Sequence, residues 1–329
     1  MKAAQTRIFD ISIDRQKRDC YNMDCKKRHQ KAVLYEYSEK GEIIHMNPIK
    51  TYQNNLKGRL KKSKATFIVF TILRVLILVA MVRSIIIGNY EGTATCVLTL
   101  LLLLVPAFLE GALRIEIPPL FEGIIYCFIF SANILGELAH FYAHIPIWDT
   151  MLHTLNGFLF AAVGFSTVDL LNRNSKNVKL SPLYLTLVAF CVSMTVGVLW
   201  EFFECGMDIF FGTDMQKDFI VNTINSCELD PAHNQTVIQV KDIVSTQIIT
   251  ASGAVVTVDG GYLDIGILDS MKDLFVNFIG AIIFCIFGFI YEKVGEKSKT
   301  AKLVEGLKIQ PAEVEEKAKA ESEEGTENN

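Results

Sequence analysis

Charge is scarce through the middle of this chain of 329 residues. Half of the residues are hydrophobic, 21% are charged, and the mean hydropathy is +0.31. The charges gather at the ends: residues 1–64 carry 16 Lys/Arg against 7 Asp/Glu, and the last 38 residues lean acidic. Between them lie apolar runs long enough to cross a bilayer of about 30 Å, which takes about 20 residues at 1.5 Å rise each. Composition therefore points to a polytopic membrane protein. The first 60 residues hold no apolar core of a leader, which excludes a cleavable signal peptide at this start. No internal repeat is visible, and that weakens any appeal to inverted-repeat transporters. A zinc pattern is missing too: Cys20, Cys25 and His29 have no matching spacing and no fourth ligand, so they read as part of a solvated basic segment. Of the eight cysteines, Cys96, Cys127, Cys191 and Cys285 fall inside apolar runs as small hydrophobes. Cys205 and Cys227 share one side, where a disulfide is open to them without support from any spacing rule.

What is present is an all-α polytopic membrane protein, a six-helix transmembrane bundle. The expected spans are 65–88, 93–109, 119–136, 148–170, 182–203 and 270–291. Residues 1–64 form a basic N-terminal region ending in KGRLKKSK, suited to anionic headgroups. Within it YEYSEKGEIIHM reads as a hairpin around Lys40-Gly41. The membrane domain covers 65–292 and includes a small β-rich insertion at about 209–268, between spans five and six. There VIQVKDIVSTQIITASGAVVTV predicts strands, with Ser252-Gly253 at a hairpin turn. Residues 293–329 make a charged tail, a loose helix or disordered after Lys302.

Lys/Arg counts beside the spans set orientation: 14 fall on the side of the N-terminus and three on the other. Both termini are therefore expected in the cytoplasm of a plasma-membrane protein, with the insertion outside. Four helices then place polar sets at the same, extracytoplasmic, end. Span three ends in Glu137, His140, Tyr142 and His144, while span four begins with Asp149, His153 and Asn156. Span five finishes with Glu201, Glu204 and Asp208, and span six opens with Asp269, Asp273 and Asn277. Spacings of three, four, seven and eight put each set on one helix face.

Asp, Glu, His and Asn are ligands for Mg²⁺, Mn²⁺, Ca²⁺ or Zn²⁺. The expected metal ligands are Asp149, His153, Glu201, Glu204, Asp208, Asp269 and Asp273, with Glu201, His153 and Asp273 the groups placed in a reaction. The substrate class would be a lipid or cell-envelope phosphate at the outer leaflet. Other readings stand beside this one. Asp149 and Asp269 at helix starts also suit first-turn acids favouring the macrodipole, in a purely structural polar cluster. Carboxylates with a histidine also relay protons in a proton- or cation-coupled transporter, and a scaffold or sensor needs no reaction at all. Beyond the bilayer no partner is indicated, nucleic acid is not expected, and oligomeric state is unreadable. Arg74, inside span one, either snorkels or pairs with Glu122.

The strings LGELAHFYAHIPIWDTMLHTLNGFLFAAVGFSTVDLLN, GVLWEFFECGMDIFFGTDMQKD and GYLDIGILDSMKDLFVNFIGA resemble the YjdF-like bacterial membrane proteins, over about residues 112–291. The resemblance marks Trp148, Asp149, His153, Gly157, Trp200, Glu201, Glu204, Asp208, Asp214, Asp269, Asp273, Gly280 and Ala281. The Asp214–Asp218 string departs from the Gln-Gly-Asp more usual in that family, which weakens a role for Lys217 or Asp218. It implies a topology and no reaction. In the last helix Asp269-x3-Asp273-x3-Asn277-x2-Gly280 is similar to a VanZ-like motif with one residue more, which implies a cell-envelope role.

Overall fold

The computed structural model describes residues 63–113, 115–174, 180–295 and 300–311, with the backbone of 35–37 and 43–45. Cys20, Cys25, His29 and the tail beyond Pro311 lie outside the described residues. Two compact units divide the chain, residues 1–67 and 68–329. In the first, β1 (Tyr35–Tyr37) and β2 (Ile43–His45) pair antiparallel with Tyr37 opposite Ile43, as the hairpin reading expects.

Six helices are long and apolar enough to span a membrane. The first, α1 (Lys64–Ile86), is apolar all round, and most of its surface stays outside the protein core, as a lipid-facing helix requires. Span two consists of α2 (Tyr90–Leu102) and α3 (Val105–Leu113). Asn89 caps it, its Oδ1 accepting from Gly92 N at 2.8 Å, and the break falls where Pro106 removes a backbone donor. Span three is α4 (Pro119–Phe130) continued by a π-helical segment, Ser131–Leu138. Near its start the Tyr126 hydroxyl donates to Glu122 at 2.5 Å. Tyr126 packs 4.9 Å from Phe70, over which the Arg74 guanidinium lies at 5.0 Å.

A short helix, α5 (Phe141–His144), follows a left-handed His140 (φ 59°), and then α6 (Trp148–Asn174) forms span four. Span five is α7 (Pro182–Phe211), where Ser181 Oγ accepts from Tyr184 N and Pro182 stands at the first helical position. It runs two turns past the expected end, through Gly206, and Gly212 closes it at φ 64°. Span six is α8 (Ile267–Val294).

Spans four, five and six make the core. Gly157 and Gly280 let α6 and α8 touch backbone to backbone. A methyl group at Gly157 would lie 2.0 Å from Asn277 O, and one at Gly280 would lie 1.9 Å from Thr154 O. Ser193 Oγ of α7 donates to Gly157 O at 2.7 Å, which locks the third helix to that seam. Farther along, Leu159, Ala162, Ala189, Ala281, Phe284 and Phe165 fill an apolar layer.

The insertion holds three two-stranded antiparallel sheets. They pair β4 (Ile220–Val221) with β9 (Tyr262–Leu263), β5 (Ile224–Ser226) with β6 (Ile238–Val240), and β7 (Ser245–Ile249) with β8 (Val255–Asp259). The last is the predicted hairpin, with Gly253 at φ 83°. Cys205 and Cys227 are free thiols, so the disulfide left open between them is not made.

The tail departs from expectation. Residues Ala301–Leu307 form α9, which buries Ala301, Val304 and Leu307. Strand β10 (Gln310–Pro311) then pairs with β3 (Ile115–Glu116), just ahead of span three. A composition rich in Lys and Glu hides this docking, because only a few apolar side chains, Ala301, Val304, Leu307 and Ile309, carry it.

Candidate functional site

Helical spacing turns the polar residues of α6, α7 and α8 toward one another at the end where α6 and α8 begin. His153 stands at the centre. Its Nε2 lies 3.4 Å from Asp149 Oδ1 and 3.8 Å from Asp273 Oδ2, and its Nδ1 lies 3.8 Å from Glu201 Oε1. His153, Glu201, Glu204 and Asp273 are buried. Two sets can bring their ligand atoms within 4.8 Å of one another: Asp149, His153 and Asp273, and His153, Glu201 and Glu204. One imidazole therefore belongs to both.

A floor of amides underlies the acids. Asn156 Nδ2 donates to Asn277 Oδ1 at 3.0 Å, and Gly197 leaves room for the Asn277 side chain. At the lipid-facing side Trp200 Nε1 donates to Glu204 Oε1 at 2.8 Å. That bond holds one oxygen of Glu204 beside a half-exposed indole. Glu201 Oε2 and Asp273 Oδ1 are buried without a hydrogen-bond partner among the described residues. Buried carboxylate oxygens ordinarily have one.

Two of the expected ligands stand aside. Asp208 is committed to the chain beyond Gly212: its Oδ1 accepts from Thr213 Oγ1 and Met215 N, and its Oδ2 from Gln216 N. Asp269 accepts from Lys217 N at 2.9 Å and pairs with Lys272 at 2.7 Å. Neither belongs to the two ligand sets. From span three, His140 and His144 are exposed, and only Tyr142 is packed inward, against Gly136. Burial first, then the nearby charges of Glu137, Asp149, Glu204 and Asp273, push the Tyr142 phenol well above its usual range.

Lys272 is the residue that sequence reasoning missed. Its Nζ lies 2.7 Å from Asp269, 3.5 Å from Asp149 and 3.6 Å from Asp273, and 5.6 Å from the centre of the Phe219 ring. It follows Asp269 by three positions, so the same spacing rule that gathered the acids could have found it. With Lys272 and His153 the only cationic or basic groups among five carboxylates in the described residues, the cluster keeps surplus acceptor capacity. Such a donor set, oxygens with one imidazole, suits a divalent cation.

The fold and this cluster define a multi-span helical membrane protein with a buried acid–histidine group at one end of its core. The chain belongs to the family described as predicted membrane protein (DUF2238), whose model matches residues 69–294, and the YjdF-like resemblance is consistent with that membership. No curated protein and no solved structure matches it significantly.

Proposed function

We propose that this plasma-membrane protein binds a divalent cation through Asp149, His153, Glu201, Glu204 and Asp273, and acts there on a phosphate group of a lipid or cell-envelope substrate. The observation that carries the reading is the gathering of five carboxylates, those of Asp149, Glu201, Glu204, Asp269 and Asp273, around His153 and Lys272, with Glu201 Oε2 buried without a hydrogen-bond partner among the described residues. Buried carboxylates this close repel one another, and a cation between them offsets that repulsion more fully than Lys272 alone can. The strong Lys/Arg bias supports cytoplasmic termini and an extracytoplasmic site. Mg²⁺, Mn²⁺, Ca²⁺ and Zn²⁺ all fit this donor chemistry, and a bound ion would polarise a phosphoryl oxygen. Asp269, itself held by Lys217 N, holds Lys272 in place, and Asn156 and Asn277 bond to each other one turn deeper.

Transport is the weaker alternative. It needs polar groups through to the opposite end, and beyond Ser193 the core layer of Leu159, Ala162, Ala189, Ala281 and Phe284 is apolar. A sensor or scaffold role would leave the surplus of gathered carboxylates without a purpose.

The test is elemental analysis and metal titration of the purified protein in lipid nanodiscs, beside a His153→Ala, Glu201→Ala, Asp273→Ala triple variant. The expected result is a near-stoichiometric divalent ion in the wild type and none in the variant, with loss of any cellular phenotype of the intact gene. Equal metal content in both, with the variant folded, would sink the proposal.

A further inference from the structure

At the other end of the core a second buried charged group sits where no span boundary predicts one. Lys308, just past α9, is almost wholly buried, and its Nζ lies 2.9 Å from Asp169 Oδ2 of span four and 3.9 Å from Glu292 Oε1 of span six. Two aromatic faces lie close as well: the ammonium is 5.0 Å from the Tyr291 ring centre and 5.8 Å from that of Phe165. Acids on two helices and rings within about 6 Å are the features by which proteins recognise alkylammonium groups. The next residue is fastened too, since Ile309 N donates to Ser166 Oγ at 3.1 Å.

A lysine buried only for packing would be a poor choice. Replacing a buried ion pair by apolar side chains of similar volume is often neutral or stabilising, so the pair itself asks for a reason. The surroundings come from spans four and six, whereas their occupant lies on a short strap, 300–311. That strap is held by four buried apolar residues, Ala301, Val304, Leu307 and Ile309, a two-residue strand pairing and the ammonium.

We infer that Asp169, Glu292, Phe165 and Tyr291 form a binding cage for a primary alkylammonium group, which this chain fills in cis with Lys308. The strap is thus a tethered ligand that closes the end of the bundle opposite His153. An amine-bearing ligand in trans would compete for the same cage.

The experiment uses the full chain in lipid nanodiscs and reads thermal unfolding. Lys308→Ala should lower Tm by several degrees. Butylammonium chloride should restore most of that loss, and sodium chloride at equal ionic strength should not. The rescue should vanish in the Lys308→Ala, Asp169→Asn double variant. If butylammonium leaves Lys308→Ala unchanged, or raises wild type and variant alike, the cage is refuted. Should Lys308→Ala fail to fold, Lys308→Met keeps the volume and removes the charge. A cage then predicts a lowered Tm that Asp169→Asn partly recovers, whereas Lys308→Met as stable as the wild type overturns the inference.

Discussion

The two ends of the same three helices both bury charge, and they balance it differently. Where α6 and α8 begin, Asp149, Glu201, Glu204, Asp269 and Asp273 share Lys272 and His153. Where the same helices end, Asp169 and Glu292 meet Lys308 under two aromatic rings. About 30 Å of helix separates them, counting the twenty residues from Asp149 to Asp169 at 1.5 Å each. One end has surplus acid, on which the proposed cation site rests. The other is supplied with its cation by the chain itself. Equal burial therefore does not mean equal role, and the balance of charge is the better guide.

The harshest way to break the comparison is to part the seam that both ends share. Gly157→Val or Gly280→Val drives a side chain into a carbonyl 2.0 or 1.9 Å from its Cβ. Each should cost at least ~3 kcal/mol, the upper part of the overpacking range. Loss of folded protein on size-exclusion chromatography, with metal binding and Lys308 protection lost together, is the expected outcome.

Next in size is the contrast between the two lysines. Lys308→Met removes one member of a buried pair and should destabilise by roughly 3 kcal/mol. Lys272 is a third exposed, so Lys272→Met should cost ~1 kcal/mol or less. Denaturant unfolding of both variants measures the difference. A Lys272 variant as crippled as the Lys308 one would erase the distinction between the ends.

Neutralising an acid should have opposite signs at the two ends. In metal-free protein Glu201→Gln relieves repulsion and should leave stability unchanged or raised by ~1 kcal/mol, while weakening cation binding tenfold or more. Asp169→Asn should lower stability by ~2 kcal/mol, since Lys308 stays buried without its closest carboxylate. The same sign at both ends would count against the charge-balance argument.

The smallest effect lies in the insertion. Burial pushes the Asp264 carboxyl up, but the backbone N–H groups of Phe219, Leu268 and Gly266 outweigh it and hold it below the usual carboxylate range. A depressed folded pKa contributes stability that is present above the unfolded value, about 3.9, and lost as pH falls through the folded one. Acid unfolding of the insertion, followed by hydrogen exchange, should thus show a limb below about pH 4 that shrinks in Asp264→Asn.

Much of the architecture was legible from residues alone. Six apolar runs, the hairpin over 245–259 and the shared face of Asp269, Asp273 and Asn277 are all local signals. Hydrophobicity and helical period need no partner to be read. Convergence of His153, Glu201 and Asp273 was also anticipated, because helix direction alone brings helix ends to one level. The ligand roles of Asp208 and Asp269 looked equal to the rest, since spacing cannot tell a carboxylate aimed at the core from one bonded to the loop after Gly212. The order in residues 300–311 stayed hidden because docking rests on surfaces of spans three, four and six that no nearby sequence describes.

Sequence by itself therefore determined the class, the spans and which helix faces are polar, for these follow from the periodicity of contiguous residues. Tertiary structure alone decided which cation each acid meets. Lys272 reaches Asp149 only because Gly157 and Gly280 bring two backbones into contact, and Lys308 reaches Asp169 across 139 positions of chain. Coulomb interactions act through space, with a dielectric set by what surrounds them, and neither quantity is written along the chain.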